Sequence, residues 1–125
     1  MSPELEKQLI EHPSKFYAQL YYFECGDGWG DILRTLADKI SSRQEAGRLK
    51  RLVQAVQVKE KYGRLVVYSS PPDDQVEGLV KEAQESSWST CEHCGTLAEL
   101  RRVGGHLTTL CDIHYNDWLA RLRKT

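Results

Sequence analysis

Four side chains toward the C-terminal end of the sequence have the types and spacing of a metal-binding set: Cys91, Cys94, Cys111 and His114. Two residues separate Cys91 from Cys94, sixteen separate Cys94 from Cys111, and two separate Cys111 from His114. Thiolates two residues apart can meet one ion at a turn of the chain, and zinc takes four such ligands in a tetrahedron. Cys91-Glu92-His93-Cys94-Gly95 fits a knuckle of this kind, with Gly95 free to take the positive φ that turns the chain away. Four protein ligands leave no open coordination position, so the expected cofactor is one structural Zn2+ and not a catalytic one. In an oxidising compartment four cysteines would suggest two disulfides; in a reducing cytosol they read as metal ligands plus one spare thiol, here Cys25.

Other reactive side chains make weaker constellations. Cys25 has no histidine near it in sequence except His12 and nothing that would depress its pKa, which argues against a cysteine nucleophile. HNH nucleases set a histidine on the hairpin of a finger and a magnesium-binding side chain at its helix, and His106, His114 and Asn116 invite that comparison. Spacing opposes it: no Asp-His pair ends the first strand, and His114 is needed as a ligand. No catalytic residue is assigned, and the chain is read as a non-enzyme, with an HNH-like nuclease as the third reading.

The ligands need elements that bring them together. Leu97 to Val103, a Gly104-Gly105 turn and His106 to Leu110 read as a hairpin that returns the chain to the metal. Cys111-Asp112-Ile113-His114 then opens a helix in which Tyr115, Trp118, Leu119 and Leu122 can pack inward, with cations at its negative end. Knuckle, hairpin and helix N-terminus together describe a treble-clef-like finger. Counted from Ser89 this unit has 37 residues, too few to bury a sufficient core alone. Zinc binding contributes about 10 to 16 kcal/mol in finger peptides, so metal should decide whether the unit folds. Three thiolates and a neutral imidazole on a divalent ion carry a net −1, which keeps the finger near neutral.

Upstream, Ser2-Pro3-Glu4 signals a short first helix ending before Pro13. Phe16, Tyr17, Leu20, Tyr21 and Phe23 form an aromatic stripe at helical spacing that reads as core. Glycines interrupt over residues 25–31, and Ile32, Leu33, Leu36, Ala37 and Ile40 resume as a second amphipathic helix. Val53, Val56, Val58 and then Leu65 to Tyr68, with Tyr62-Gly63 between them, give a β-hairpin. Pro71-Pro72-Asp73-Asp74 starts a third helix carrying Val76, Leu79, Val80 and Ala83, and residues 86–90 form a hinge. The expected fold class is α+β: N-terminal helices, a hairpin and a helix over residues 1–88, then a treble-clef-like zinc lobe over 89–125.

The composition is globular, with 40% hydrophobic and 28% charged residues, which excludes wholesale disorder. A net charge of −1 offers no global attraction to nucleic acid or anionic lipid, so any such binding needs a local patch. No apolar run nears the roughly 18 to 20 residues of a membrane span, and Met-Ser-Pro-Glu-Leu-Glu-Lys lacks a signal-peptide layout. A cytoplasmic protein without membrane contact is expected.

Local patches are available. Lys39, Arg43, Arg48, Lys50 and Arg51 make the most basic stretch and could contact phosphates, though cations at a helix end also complement its dipole. Tyr62 at the hairpin tip, between cations, could stack on a base. Arg121, Arg123 and Lys124 end the finger helix. The segment Cys25-Gly26-Asp27-Gly28-Trp29 reads first as a helix-entry turn with Trp29 in the core, and second as a recognition loop presenting Asp27 and Trp29.

Three blocks, Phe23-Glu24-Cys25-Gly26-Asp27-Gly28-Trp29, then Gln57-Val58-Lys59-Glu60-Lys61-Tyr62-Gly63-Arg64-Leu65, then Thr90-Cys91-Glu92-His93-Cys94-Gly95 with Thr109-Leu110-Cys111-Asp112, carry a resemblance. In their order and spacing the chain resembles, from about Phe16 to His114, a family of small proteins of bacteria, phages and prophages. The resemblance implies a phage or mobile-element setting and supports the four ligands; it implies no activity. His106 departs from it, since relatives often carry tryptophan after the glycine turn, which weighs against a catalytic His106. The first functional reading is therefore a non-enzymatic zinc-containing interaction protein, phage- or prophage-encoded, that binds a host protein and inhibits or adapts it. The second is a nucleic-acid-binding accessory or regulatory protein using the finger helix and the basic stretch. The oligomeric state and the partner's identity are not legible in these residues.

Overall fold

Ser2 caps the first helix as expected, its side chain accepting the Leu5 amide, with Pro3 in the first turn and Glu4 and Glu6 near the positive dipole end. The computed structural model describes residues 1–123. In it α1 runs Pro3–Ile10, α2 Gly30–Glu45, β1 Gln54–Lys61, β2 Arg64–Ser70, α3 Asp74–Ser87, β3 Glu99–Val103, β4 His106–Leu110 and α4 Asp112–Arg123. The class is α+β, with two separate two-stranded antiparallel sheets, β1-β2 and β3-β4. No helix among the described residues is long and apolar enough to cross a membrane.

The main core lies between α2, α3 and one face of the β1-β2 hairpin. Leu33, Leu36, Ala37 and Ile40 enter it from α2, and Val76, Leu79, Val80 and Ala83 from α3. Asp73 caps α3 through the amides of Gln75 and Val76. Ala55, Val58, Leu65 and Val67 face inward, whereas Val56 faces out. A bulge between Ala55 and Gln57 shifts the register there, so the alternation that would place Val56 and Val58 on one face is reset.

The aromatic stripe is core only in part, and residues 16–23 form turns, not a helix. Phe16, Tyr17 and Phe23 are buried and meet edge to face, with ring centroids 4.9 Å apart for the first pair and 5.3 Å for the second. Tyr21 is 95% exposed and Tyr22 is exposed beside it. The chain turns against the outer edge of β1, where the Ala55 amide donates to the Phe16 carbonyl and the Glu24 amide to the Val58 carbonyl. Those bonds satisfy an edge that would otherwise be bare, and they divert the segment from a continuous helix.

The finger follows the expected order. Thr90 and Leu97 bridge to close the knuckle, β3 and β4 pair in register from Glu99 with Leu110 to Val103 with His106, and α4 starts directly after Cys111. No residue of α4 is fully buried; Tyr115 and Trp118 pack partly against a small cluster of Cys91, Ala98, Leu110 and Cys111. With so few apolar contacts, this lobe depends on its Cys3His group and on docking for cohesion.

Candidate metal centre

The knuckle, the end of β4 and the first turn of α4 bring Cys91, Cys94, Cys111 and His114 together, with all four ligand atoms within 4.8 Å of one another. The Cys94 and Cys111 sulfurs are 3.8 Å apart, and His114 Nδ1 stands 3.7 Å from the Cys91 sulfur and 3.2 Å from that of Cys111. A tetrahedral ion with metal–sulfur bonds of about 2.3 Å and metal–nitrogen bonds of about 2.0 Å would set its ligands about 3.5 to 3.8 Å apart. The donor set fits a single ion of that kind, with Nδ1 as the imidazole donor, so this compact Cys3His group could hold one metal ion.

Surrounding groups prepare the sulfurs. The His114 amide holds the Cys111 thiol down at about 6, and the Thr96 hydroxyl, 3.1 Å from the Cys94 sulfur, holds that thiol below the ordinary range. Burial pushes the Cys91 thiol up, and the Cys111 sulfur raises His114. His93 is not a ligand but stacks on His114, centroids 4.5 Å apart and planes 6° from parallel, which fixes the imidazole's orientation. Arg101 on β3 anchors the start of α4: its guanidinium donates to Asp112 at 2.6 Å and lies 4.5 Å over the Tyr115 ring. Thr96, His93 and Arg101 were not among the residues singled out from the sequence. Their role depends on contacts across the finger, and no spacing rule marks them.

The segment around Gly28 is the joint between the two lobes. The Gly28 amide donates to the Glu92 carbonyl at 2.8 Å, the Gly26 amide to the Glu92 carboxylate at 3.0 Å, and the Trp29 indole N–H to the Thr90 carbonyl at 2.9 Å. A β-carbon on Gly28 would stand 2.0 Å from the Cys91 carbonyl oxygen, so only glycine allows the approach. A second contact joins the lobes at Gly63, whose carbonyl accepts the buried Thr109 hydroxyl at 2.5 Å. A β-carbon there would meet Leu100 Cδ1 at 2.6 Å.

Trp29 is completely buried and faces the finger, as the helix-entry reading expects, and this corrects the recognition-loop reading for that residue. Asp27 stays exposed, its carboxylate accepting the Ser2 amide at 2.6 Å. Cys25 is buried too, its thiol pushed up to about 12 by burial first and then by the charge of Glu92. Of the basic stretch, Lys39 pairs with Glu82 at 3.7 Å and Arg43 donates to Gln75 at 3.1 Å. Arg48, Lys50 and Arg51 are exposed on the connection that follows α2. Arg121 stands 3.9 Å from Asp117 on exposed α4, Arg123 is exposed near its end, and Lys124 lies outside the described residues. Tyr62 projects at the hairpin tip, 71% exposed.

A cleft of about 710 Å3 lies beside the metal group, lined among others by Met1, Asp27, Glu92, His93, Trp118 and Arg121. A line of Ser14, His12 and Asp38 also forms, with His12 Nε2 2.7 Å from Asp38 and Nδ1 accepting the Ser14 amide at 3.0 Å. Ser14 is buried and its oxygen accepts the Phe16 amide, so the line ties the turn that follows α1 to α2 and presents no open nucleophile. No protein-family model, curated protein or solved structure matches the chain.

Proposed function

We propose that the chain is a zinc-stapled, non-enzymatic interaction protein, phage- or prophage-encoded, that works in the host cytoplasm by binding a host macromolecule. One observation supports the metal-stapled part of this reading: the four Cys3His ligand atoms lie within 4.8 Å of one another, and the knuckle that supplies two of them is bonded into the N-terminal lobe through Gly26, Gly28 and Trp29. Zinc suits three thiolates and an imidazole better than a hard oxygen-seeking cation does. Four protein ligands fill its coordination shell, which favours a structural role and a binding function over metal hydrolysis. The order of the three sequence blocks supports the phage setting.

Elemental analysis of the purified protein should give about one zinc per chain. Cobalt substitution should give a tetrahedral thiolate spectrum that azide and cyanide leave unchanged. A cobalt spectrum that shifts with either anion would mean an open coordination position and would sink the non-enzymatic reading. A protein that folds fully without metal would sink the zinc reading.

A further inference from the structure

The tip of the β1-β2 hairpin and the hinge after α3 meet in a surface the metal group does not use. Tyr62 and Gly63 both have positive φ, 53° and 82°, as a tight primed turn requires, and this holds the Tyr62 ring out from the tip. Lys61 and Arg64 are cross-strand partners on either side of that turn. The Arg64 guanidinium lies 4.6 Å over the Trp88 ring, and Trp88 is 48% exposed. Gly63 abuts Leu100 of β3, and Arg102, two residues on, lies on the same face of that strand.

Exposed rings set among cations distinguish this surface from the Arg48, Lys50 and Arg51 stretch, which is as basic. Among the described residues no carboxylate pairs with Lys61, Arg64 or Arg102. The nearby carboxylates are engaged elsewhere: Glu60 accepts the Gly63 amide at 2.8 Å, and Glu99 stands 3.9 Å from Arg101. Glu85, one turn before Trp88 on α3, bounds the patch on that side. Two exposed rings set among three unpaired cations suit a flexible polyanion whose units carry flat faces.

We infer that this surface is a stacking platform for single-stranded nucleic acid, with Tyr62 and Trp88 receiving bases and Lys61, Arg64 and Arg102 meeting phosphates. The inference rests on the interaction reading above and names the class of its partner. Duplex is disfavoured, because its bases are already stacked and an aromatic platform offers them nothing. Stacking accepts any base, so the platform needs no defined sequence.

The test uses the zinc-loaded full chain and fluorescein-labelled dT and U oligomers of about 15 nucleotides, read by anisotropy from about 50 mM salt upward. Binding is expected, with a slope of log K against log salt of about −2, since three phosphate contacts on a single strand give about −0.7 each. Tyr62→Ala and Trp88→Ala should each weaken binding roughly five- to hundredfold, and Arg64→Gln should flatten the slope by about 0.7. All three side chains are exposed, and unchanged zinc content and circular dichroism would show that the fold survives. Absence of binding by both oligomers, with zinc and fold intact, overturns the platform and leaves the zinc-stapled fold standing. Equal affinity for duplex, or equal competition by a polyglutamate peptide, overturns stacking in favour of a merely cationic surface. Loss of binding on Lys50→Gln with Arg51→Gln but not on Tyr62→Ala would place the contact elsewhere and overturn the assignment. A protein that carries no zinc and no stable fold fails at the underlying reading instead.

Discussion

The Gly28 amide donates to the Glu92 carbonyl at 2.8 Å, and this bond fastens the glycine segment of one lobe to the metal knuckle of the other. Folding of the finger and order in the N-terminal lobe are thereby coupled, and the first predictions concern that coupling.

Gly28→Ala should destabilise the protein by about 3 kcal/mol, the upper end for overpacking, because the new methyl meets backbone and cannot be relieved by a side-chain rotation. Urea unfolding and the rate of zinc loss to a chelator should worsen together. If the variant lost stability but kept its zinc as tightly as the parent, the two lobes would not be coupled through this contact.

Metal removal should be felt beyond the finger. Trp29 is buried and its indole donates to Thr90 just before Cys91, so chelation should move its emission to the red and speed amide exchange at Gly26 and Gly28. A Trp118→Phe, Trp88→Phe background isolates the Trp29 signal. Unchanged emission after complete zinc removal would contradict the coupling.

Cys25 should be chemically silent in the folded protein. Its thiol is pushed up to about 12, so almost no thiolate exists near neutrality, and thiol reagents should modify it only on unfolding. The sign of the stability effect follows: the unfolded thiol ionises near its ordinary value of 9.0, the folded one holds its proton to about 12, and stability is therefore lost as pH rises between these values. Buried Tyr17, also raised by burial, adds to the same alkaline loss. Cys25→Ala should flatten that limb of the pH–stability curve; an unaltered limb would remove Cys25 as its source.

Arg101→Ala should cost about 1 kcal/mol, since the pair with Asp112 is open to solvent on the carboxylate side and the stack on Tyr115 adds a modest cation–π contribution. The loss should appear as fraying at the start of α4 and a faster zinc off-rate. Arg101→Lys keeps the charge without the planar fork and should recover only part of it. Full recovery by lysine would reduce the contact to simple charge.

The finger was largely legible in the sequence because metal chemistry constrains both residue type and spacing, and Gly104-Gly105 and Asp112 mark its turn and helix start. The β1-β2 hairpin showed itself through Tyr62-Gly63, and α3 through Asp73, for the same local reason. Trp29 was harder to place. Glycines at 26 and 28 look alike whether they supply hinges or clearance, and what they clear is the Cys91 carbonyl, far along the chain. The exposure of Tyr21 and Val56 was hidden too: one follows from the segment that lies along the edge of β1, the other from a bulge, and neither alters the local hydrophobic pattern. The pairing of Arg64 with Trp88 needed the β2–α3 packing that the Ser87 hydroxyl and the Leu65 amide make at 3.0 Å.

The contacts at Gly28 and Gly63 also bear on how such a gene can change. A finger that folded alone could be exchanged between genes at the hinge near residue 88, but here part of its supporting surface is encoded upstream, in two places. Recombination at that point would separate a knuckle from the glycines cut to fit it. Lineages that keep the protein should therefore inherit the three blocks together, and a graft of residues 89–125 onto a foreign N-terminal half should bind zinc poorly until Gly26, Gly28 and Gly63 are grafted with it.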